Sequence, residues 1–119
     1  MKNIPRLSVT HSNNETFTYF RWVRMSGHFP LTGGFRGQMR RPSSNPNVAL
    51  EVELSSANGR ILLLEVDEEN ERVKLGFELP ESISRPLLGI YNFDLLYEAN
   101  GHAERLLIVT WTFEQGPTQ

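Results

Sequence analysis

Turn-forming residues interrupt this chain so often that no segment between them is long enough for an ordinary helix. Pairs such as Asn13-Asn14, Gly33-Gly34, Asn58-Gly59 and Asn100-Gly101 recur along its 119 residues, and each pair suits a tight turn. The segments between the turns have the lengths that are typical of β-strands. The chain is therefore expected to reverse direction many times, with strands between the turns.

Apolar and polar residues alternate within these segments, which is a second sign of strands. In the segment 71–79, Val73, Leu75 and Phe77 face one way while charged residues face the other, and the segment 48–54 alternates in the same way. Because the side chains of a strand point to opposite faces in turn, a period of two predicts one buried and one solvated face. A helix would need apolar residues three and four positions apart.

The segment 91–113 predicts a β-hairpin around Asn100-Gly101. Asn-Gly suits the positive φ angles of a tight turn, although the polar residues 100–104 favour a somewhat longer loop. The face expected in the core is rich in aromatic residues, namely Tyr91, Phe93, Leu95, Tyr97, Leu107, Val109, Trp111 and Phe113. The opposite face carries Ile90, Leu96, Leu106 and Ile108. This second face is only partly polar, so we expect part of it to be covered by the chain or by a partner.

These patterns predict an all-β fold, an immunoglobulin-like antiparallel β-sandwich of about seven or eight strands with one short helical turn. The helical turn is expected at residues 80–84, where Pro80 suits a first turn. Tyr91 lies where such sandwiches place a corner tyrosine. Residues 1–119 are expected to form a single domain with a flexible tail at 115–119. The strands are expected at 4–11, 15–25, 35–41, 48–54, 60–66, 71–79, 88–98 and 104–114.

Charge and composition argue against several classes of function. The formal net charge is -2, so there is no general attraction to nucleic acid or to an anionic membrane. The chain contains no Cys, which excludes a disulfide scaffold and Cys-ligated zinc. Its apolar stretches are far shorter than the ~20 residues of a membrane-spanning helix, and the N-terminus lacks the apolar region of a signal peptide. We expect a soluble protein.

No catalytic, metal or cofactor site is predicted. His11, His28 and His102 are interpreted as solvated loop residues, because they lie far apart in sequence and metal signatures depend on close spacing. The acidic run 67–71 lacks the spacing and the glycine of a calcium loop, and is interpreted as a charged hairpin connection. Asp94 and Glu98 lie on one side of a predicted strand, where we interpret them as solvent-facing charges near Arg105. The prediction is that the protein is not an enzyme and needs no small-molecule substrate.

A protein contact is the favoured use of the surface. The segment 15–25 is apolar on both faces, which is typical of a central strand or of one whose outer face meets a partner. Basic residues near aromatic ones would also suit single-stranded nucleic acid, but no RNA-binding motif is present. For the basic residues, ordinary surface charge or a charged contact with a protein partner is favoured. The candidate contact surfaces are the segments 15–25 and 104–114, which would meet another protein or a further copy of this chain. The candidate interface residues are Phe20, Trp22, Arg36, Arg40, Leu106 and Ile108.

The order of several short motifs resembles that of small phage and prophage virion-associated proteins. Residues 15–41 contain Glu-Thr-Phe, then Gly27, then a Pro-Leu-Thr-Gly turn at 30–33, and then a strand ending in Met-Arg-Arg. Further on, residues 89–95 read Gly-Ile-Tyr-Asn-Phe-Asp-Leu, and Gly101 precedes Arg-Leu-Leu. The resemblance covers roughly residues 15–113. It extends more faintly to the N-terminal domains of phage baseplate proteins.

The resemblance implies an immunoglobulin-like sandwich that serves as a non-enzymatic structural or assembly component of a phage or prophage particle. The expected positions are the head–tail connection, the baseplate or a fibre attachment point. The protein would be made in the cytoplasm of a bacterial host and then join the virion, where its partners would be other virion proteins or further copies of itself. The family brings no catalytic residues. The alternative is a small recognition module that binds a peptide or a carbohydrate through the loops 26–34 and 42–47.

Overall fold

The computed structural model describes residues 4–13, 15–42 and 52–115. Nearly all of the regular structure is β, as predicted. The described residues form eight strands, which are β1 (Arg6–Ser12), β2 (Phe17–Arg24), β3 (Gly34–Arg40), β4 (Val52–Ser55), β5 (Ile61–Asp67), β6 (Arg72–Leu79), β7 (Gly89–Ala99) and β8 (His102–Glu114). A short helix, α1, spans Glu81–Ser84. Each predicted strand is found within a few residues of its expected place, and the helical turn is confirmed.

Some sequence-based expectations fall outside the described residues. These are the first part of the predicted strand 48–54, most of the loop 42–47, and nearly all of the tail 115–119. None of the described helices has the length and apolar character that crossing a bilayer needs.

The strands form two sheets that pack face to face. One sheet has five strands in the order β1-β8-β7-β3-β4, and the other has three in the order β2-β6-β5. In immunoglobulin terms, β2, β6 and β5 occupy the places of strands B, E and D, while β3, β7 and β8 occupy those of C, F and G. The prediction of an all-β sandwich is therefore confirmed.

The expectation of a purely antiparallel sandwich is wrong at one place. β1 pairs with β8 in parallel, with Arg6 opposite Ile108 and Ser12 opposite Glu114. The other strand pairs within the described residues are antiparallel. After β1 the chain crosses to the opposite sheet and forms β2, so β1 is not joined to a neighbouring strand by a hairpin. Alternation with a period of two is the same in both kinds of ladder, so the sequence pattern did not distinguish them.

The core is centred on Trp111, which is fully buried on β8. Its ring lies 5.0 Å from that of Phe17, 5.4 Å from that of Tyr19 and 5.9 Å from that of Phe93, measured between centroids. Such aromatic pairs add roughly 0.5–1.5 kcal/mol each beyond the burial of their area. The rings come from both sheets, so this cluster fixes how the two sheets sit on each other.

The corner tyrosine predicted at Tyr91 is present at the start of β7. Its buried ring packs against Phe113, and its hydroxyl oxygen accepts a hydrogen bond from the backbone N–H of Leu88 at 3.3 Å. Just before it, α1 contributes the buried Ser84, whose hydroxyl donates to the carbonyl of Glu15. These contacts bind the connection between the two sheets to the core at one end of the sandwich.

The β7–β8 hairpin turns on two residues. Asn100 has φ 53° and Gly101 has φ 79°, the left-handed values of a type I′ turn, and Ala99 pairs directly with His102. The expected longer loop is therefore wrong. The ladder also shifts between Leu95, which pairs with Leu107, and Leu96, which pairs with Arg105.

This shift leaves Leu106 as an extra residue on β8. Both Leu106 and Leu107 are consequently buried, at 6% and 2% exposure. The predicted placement of Leu106 on the outer face is wrong, because a β-bulge sets two consecutive side chains on one side where strict alternation would separate them.

Candidate protein interaction surface

The outer face of the three-stranded sheet carries a cluster that we call the aromatic–basic face, formed by Phe20, Trp22, Leu64, Arg72 and Lys74. The register brings these residues together, because Phe20 pairs with Gly76 and Trp22 pairs with Lys74 across β2 and β6. Inward-facing residues of the same strands, such as Val73, Leu75 and Phe77, are buried in the core. The two faces of the sheet are thus both rich in apolar groups.

Gly76 forms the floor of the aromatic–basic face. A Cβ atom at this position would lie 3.1 Å from Leu64 Cδ1 and 3.4 Å from Phe20 Cδ1. The side chains of Phe20 and Leu64 therefore approach each other over a backbone that has no side chain of its own. Leu64 reaches this face because the β5–β6 ladder is irregular between Leu63 and Glu65, so that Leu64 is the additional residue of a bulge.

The apolar side chains of this face are exposed to solvent. Phe20 is 52% exposed, Trp22 36% and Leu64 42%. Scattered exposed apolar residues are ordinary on a protein surface, but neighbouring ones form a patch of the kind that marks interaction sites. Aromatic residues and arginine are also enriched at protein–protein interfaces.

Two cations lie over the aromatic rings. The Arg72 guanidinium carbon is 4.3 Å from the centroid of the Trp22 ring, and Lys74 Nζ is 5.9 Å from that of Phe20. Arg72 Nε also donates to Asp67 Oδ2 at 3.0 Å. Hydrogen bonds from Asn70 and Arg72 lower the pKa of Asp67 below its ordinary value. The ionised carboxylate of Asp67 thus holds Arg72 in place against Trp22.

The six predicted interface residues do not form one surface. Phe20 and Trp22 lie on the outer face of the three-stranded sheet, whereas Arg36, Arg40 and Ile108 belong to the five-stranded sheet on the other side of the sandwich. Leu106 is buried. Of the two predicted contact segments, 15–25 contains an edge strand, but 104–114 contains β8, which is paired on both sides by β1 and β7.

The outer face of the five-stranded sheet is occupied by polar contacts. Arg36 pairs with Glu98, and Arg105 Nη2 lies 3.2 Å from Asp94 Oδ2. Asp94 is therefore a solvent-facing charge near Arg105, as the sequence indicated. Arg40 Nη2 donates to Gln38 Oε1 at 2.9 Å. This face resembles an ordinary solvated sheet surface.

A second candidate site is an open cleft of about 360 Å³ at one end of the sandwich, between residues 27–32 and the Asn100-Gly101 turn. Tyr97 positions the loop beside it, because its hydroxyl oxygen accepts hydrogen bonds from the backbone N–H groups of Thr32 at 3.0 Å and Gly33 at 2.8 Å. His28 contacts Glu104 on the cleft wall.

Two loops, 26–34 and 42–47, were predicted to carry a recognition site. The first leads into β3 at Gly34 and lines the cleft. Residues 43–47 themselves lie outside the described chain. The neighbour of the first loop is the β7–β8 turn, with Asn100 and His102.

The three histidines differ in their surroundings, and the sequence-based interpretation does not fit all of them. His28 and His102 border the cleft, but His11 lies within β1, where its ring packs against Phe17 at 5.0 Å and Phe113 at 6.2 Å. The interpretation of His11 as a solvated loop residue is wrong. Within the described parts of the chain, no group of three or more potential metal-ligating side chains is brought together.

Sequence reasoning missed Leu64 and Gly76. The available signal was the run Leu62-Leu63-Leu64, which interrupts the alternation of its strand and is compatible with a bulge. Gly76 stood in the middle of an otherwise regular strand, where glycine often marks a close approach of neighbouring groups.

Searches against protein-family models and against curated proteins gave no match to this chain.

Proposed function

We propose that this protein is a non-enzymatic structural or assembly component of a phage or prophage particle and that it acts through protein–protein contact. The observation that carries the proposal is the aromatic–basic face, with Phe20 and Trp22 exposed beside Arg72 and Lys74. The proposed location in a particle, at the head–tail connection, baseplate or fibre attachment point, is inferred from the sequence resemblance. The proposed mode of contact is inferred from the aromatic–basic face.

The chemistry of the face suits a protein partner. Burial of exposed apolar surface contributes about 25 cal/mol per Å² before the costs of association. The guanidinium of Arg72 is already held over Trp22 and bonded to Asp67, so little of its freedom remains to be lost on binding. A small number of such aromatic and arginine side chains commonly supplies most of the binding energy of an interface.

The carboxylates considered for catalysis support a non-enzymatic role. Asp94 lies beside Arg105, and Glu98 beside Arg36. General acid–base catalysis depends on a carboxyl group whose pKa is tuned to its task and that can reach a substrate. A carboxylate engaged in an exposed ion pair with arginine is an ordinary surface charge.

The test is to place an epitope tag on the gene in the host that carries it, induce the phage genes, and purify particles on a density gradient. We expect the tagged protein at a constant ratio to the other particle proteins. The variants Phe20→Ala and Trp22→Ala should fold normally but be depleted from particles by at least about tenfold, the loss expected for removing an interface hot spot.

Matched controls come from two exposed apolar residues elsewhere. Leu88 and Ile90 are 49% and 48% exposed, and they lie outside the aromatic–basic face. Leu88→Ala and Ile90→Ala should enter particles like the unmodified protein. Particles that lack the protein altogether would contradict the proposed function.

The second candidate function is recognition of a peptide or a carbohydrate, and the cleft near His28, Tyr97 and Glu104 favours it. Tyr97→Phe removes the acceptor that holds the backbone of Thr32 and Gly33. If the cleft is the binding site, this variant should lose binding to ligands selected from peptide and glycan arrays, while Trp22→Ala keeps it. If Tyr97→Phe keeps ligand binding and Trp22→Ala loses it, the ligand-binding site is the aromatic–basic face.

A further inference from the structure

The free edge of β2 is the most open strand edge of the described molecule. Within residues 4–13, 15–42 and 52–115, β2 pairs with β6 alone. All eight residues of β2, from Phe17 to Arg24, are in continuous register with β6, so β2 has no bulge against it. It also contains no proline. Bulges, prolines and short length are the usual means by which a protein protects an edge strand from pairing.

Each of the other three strand edges in the described residues is less suited to pairing than the edge of β2. β4 has four residues, and β5 contains the bulge at Leu64. β1 is regular, but its outward side chains include Ser8 and Thr10, so pairing there would cover little apolar surface. On β2 the outward side chains include Phe20 and Trp22, and an added strand would cover both.

We propose that two copies of this chain associate by antiparallel pairing of their β2 edges, with Phe20 of one copy opposite Phe20 of the other. The two three-stranded sheets would then form one continuous sheet across a two-fold axis, a standard closed arrangement for identical subunits. The inference rests on the proposed assembly function and deepens it by naming the partner as a second copy.

The register follows from which side chains share a face. Directly opposite residues of paired strands point to the same side of a sheet, so Phe20 must meet an outward residue of the second copy. Two registers place outward residues opposite each other and also pair most of β2 with its copy. One sets Phe20 opposite Phe20, and the other sets Arg21 opposite Arg21.

Arg21 decides between the two registers. Like charges directly opposite each other are destabilising in a sheet, which disfavours the register that pairs the two arginines. In the Phe20 register, Arg21 instead lies opposite Tyr19 of the second copy, where a guanidinium and an aromatic ring attract each other. Trp22 lies opposite Thr18, and Phe17 opposite Val23, so no like-charged pair forms within this span of β2.

The experiment uses single cysteines, because the chain contains no Cys of its own. Directly opposite residues in an antiparallel pair have Cα atoms about 4.5–5.5 Å apart, within the span that a disulfide bridges. Under a glutathione redox buffer, Phe20→Cys should form a disulfide-linked dimer. Thr18→Cys should not, since in this register the two copies of residue 18 are displaced by about 13 Å along the strands.

A mixture of Thr18→Cys and Trp22→Cys should cross-link, because these positions face each other. We expect Phe20→Cys to cross-link at least about tenfold faster than Thr18→Cys alone, since pairing raises the local concentration of the two thiols. The unmodified protein should show a mass in light scattering that rises from 13.7 kDa toward twice that value as concentration increases.

Three outcomes would overturn the proposal. They are a monomer at every concentration with equal cross-linking of Phe20→Cys and Thr18→Cys, preferential cross-linking of Arg21→Cys, and preferential cross-linking of Ser8→Cys, which would assign the contact to β1. The particle assay is independent of these results. Depletion of Trp22→Ala from particles without any Phe20→Cys dimer would leave the assembly function standing and refute self-pairing alone.

Discussion

The outer faces of the two sheets expose different kinds of side chain to water. On the five-stranded sheet, cross-strand partners are charged, as in the pairs Arg36 with Glu98 and Arg105 with Asp94. On the three-stranded sheet, Phe20 and Leu64 meet over Gly76, and Arg72 lies on Trp22. Both sheets bury apolar side chains on their inner faces. Burial of the core therefore does not require the two outer faces to differ.

The first prediction compares the two tryptophans, one from each sheet. Trp111→Ala should lower the free energy of unfolding by about 3–5 kcal/mol, because it leaves a large cavity in the core. Trp22→Ala should lower it by about 0.5–1 kcal/mol, the value of an exposed cation–π contact. Urea unfolding followed by circular dichroism measures both. Equal losses would show that the aromatic–basic face belongs to the folding core.

Trp111→Phe sharpens the same comparison. Within the described chain, Trp111 Nε1 is buried without a hydrogen-bond partner, so phenylalanine removes an unsatisfied donor along with some volume. The loss of stability should be smaller than for Trp111→Ala. In this background Trp22 is the sole tryptophan, and its fluorescence should be strongly quenched by iodide.

The second prediction compares two strand glycines. A Cβ at Gly37 would lie 2.2 Å from Phe93 Cζ and 2.9 Å from the backbone oxygen of Asp94, whereas one at Gly76 meets only side-chain atoms at 3.1 Å or more. Gly37→Ala should therefore destabilise the protein by about 1–3 kcal/mol through overpacking. Gly76→Ala should stay within about 0.5 kcal/mol of the parent protein, because Leu64 and Phe20 are free to shift and alanine suits a strand better than glycine.

Thermal unfolding of the two alanine variants, run side by side, checks this contrast. A loss at Gly76 as large as that at Gly37 would mean that the aromatic–basic face is packed as tightly as the core.

The third prediction concerns the charged face. Arg36→Glu combined with Arg40→Glu should leave folding intact and change the free energy of unfolding by no more than about 1 kcal/mol, because exposed ion pairs contribute little. The swap of Arg36→Glu with Glu98→Arg should recover part of the loss from Arg36→Glu. Urea midpoints at low and high salt measure both effects, and unfolding of the charge-reversal variant would refute the solvated-face assignment.

The smallest expected effect is the pH response of Asp67. Its pKa is lowered by hydrogen bonds from Asn70 and Arg72, so the folded state favours the ionised form. The stabilisation is present above about pH 4, where an unfolded aspartate is ionised, and is lost as the pH falls through the lowered pKa of the folded state. The fall in stability on acidification should therefore be shallower in Asp67→Asn.

The same titration should loosen Arg72 from Trp22. In the Trp111→Phe background, the fluorescence of Trp22 should shift on acidification, and Asp67→Asn should abolish that shift. An unchanged shift in Asp67→Asn would mean that another group controls the position of Arg72.

The local pattern of the sequence predicted the strands well and their partners poorly. Alternation placed Val73, Leu75 and Phe77 on one face correctly, and the position of Tyr91 indicated a corner tyrosine. Neither signal specifies which strands become neighbours, so Arg36 and Trp22 were both named as interface residues although they lie on different sheets. Strand pairing depends on contacts between residues far apart in sequence, and a local period of two carries no information about which strands pair.

The candidate site was predicted in part. The apolar run that contains Phe20 and Trp22 indicated a core strand or a contact strand, and its outward residues are the exposed ones. Leu106 was misplaced because consecutive apolar residues, Leu106 to Val109, hide the position of a bulge. The neighbours Leu64 and Gly76 became visible only once β5 and β6 were paired.

The parallel pair of β1 and β8 has a mechanical consequence. Tension applied to the start of β1 and the end of β8 pulls two strands that run the same way in opposite directions along their length. All the hydrogen bonds between Arg6–Ser12 and residues 108–114 then bear the load together, in shear, whereas a hairpin pulled at its open ends separates one bond at a time. A domain joined in this manner is suited to carry force along a chain.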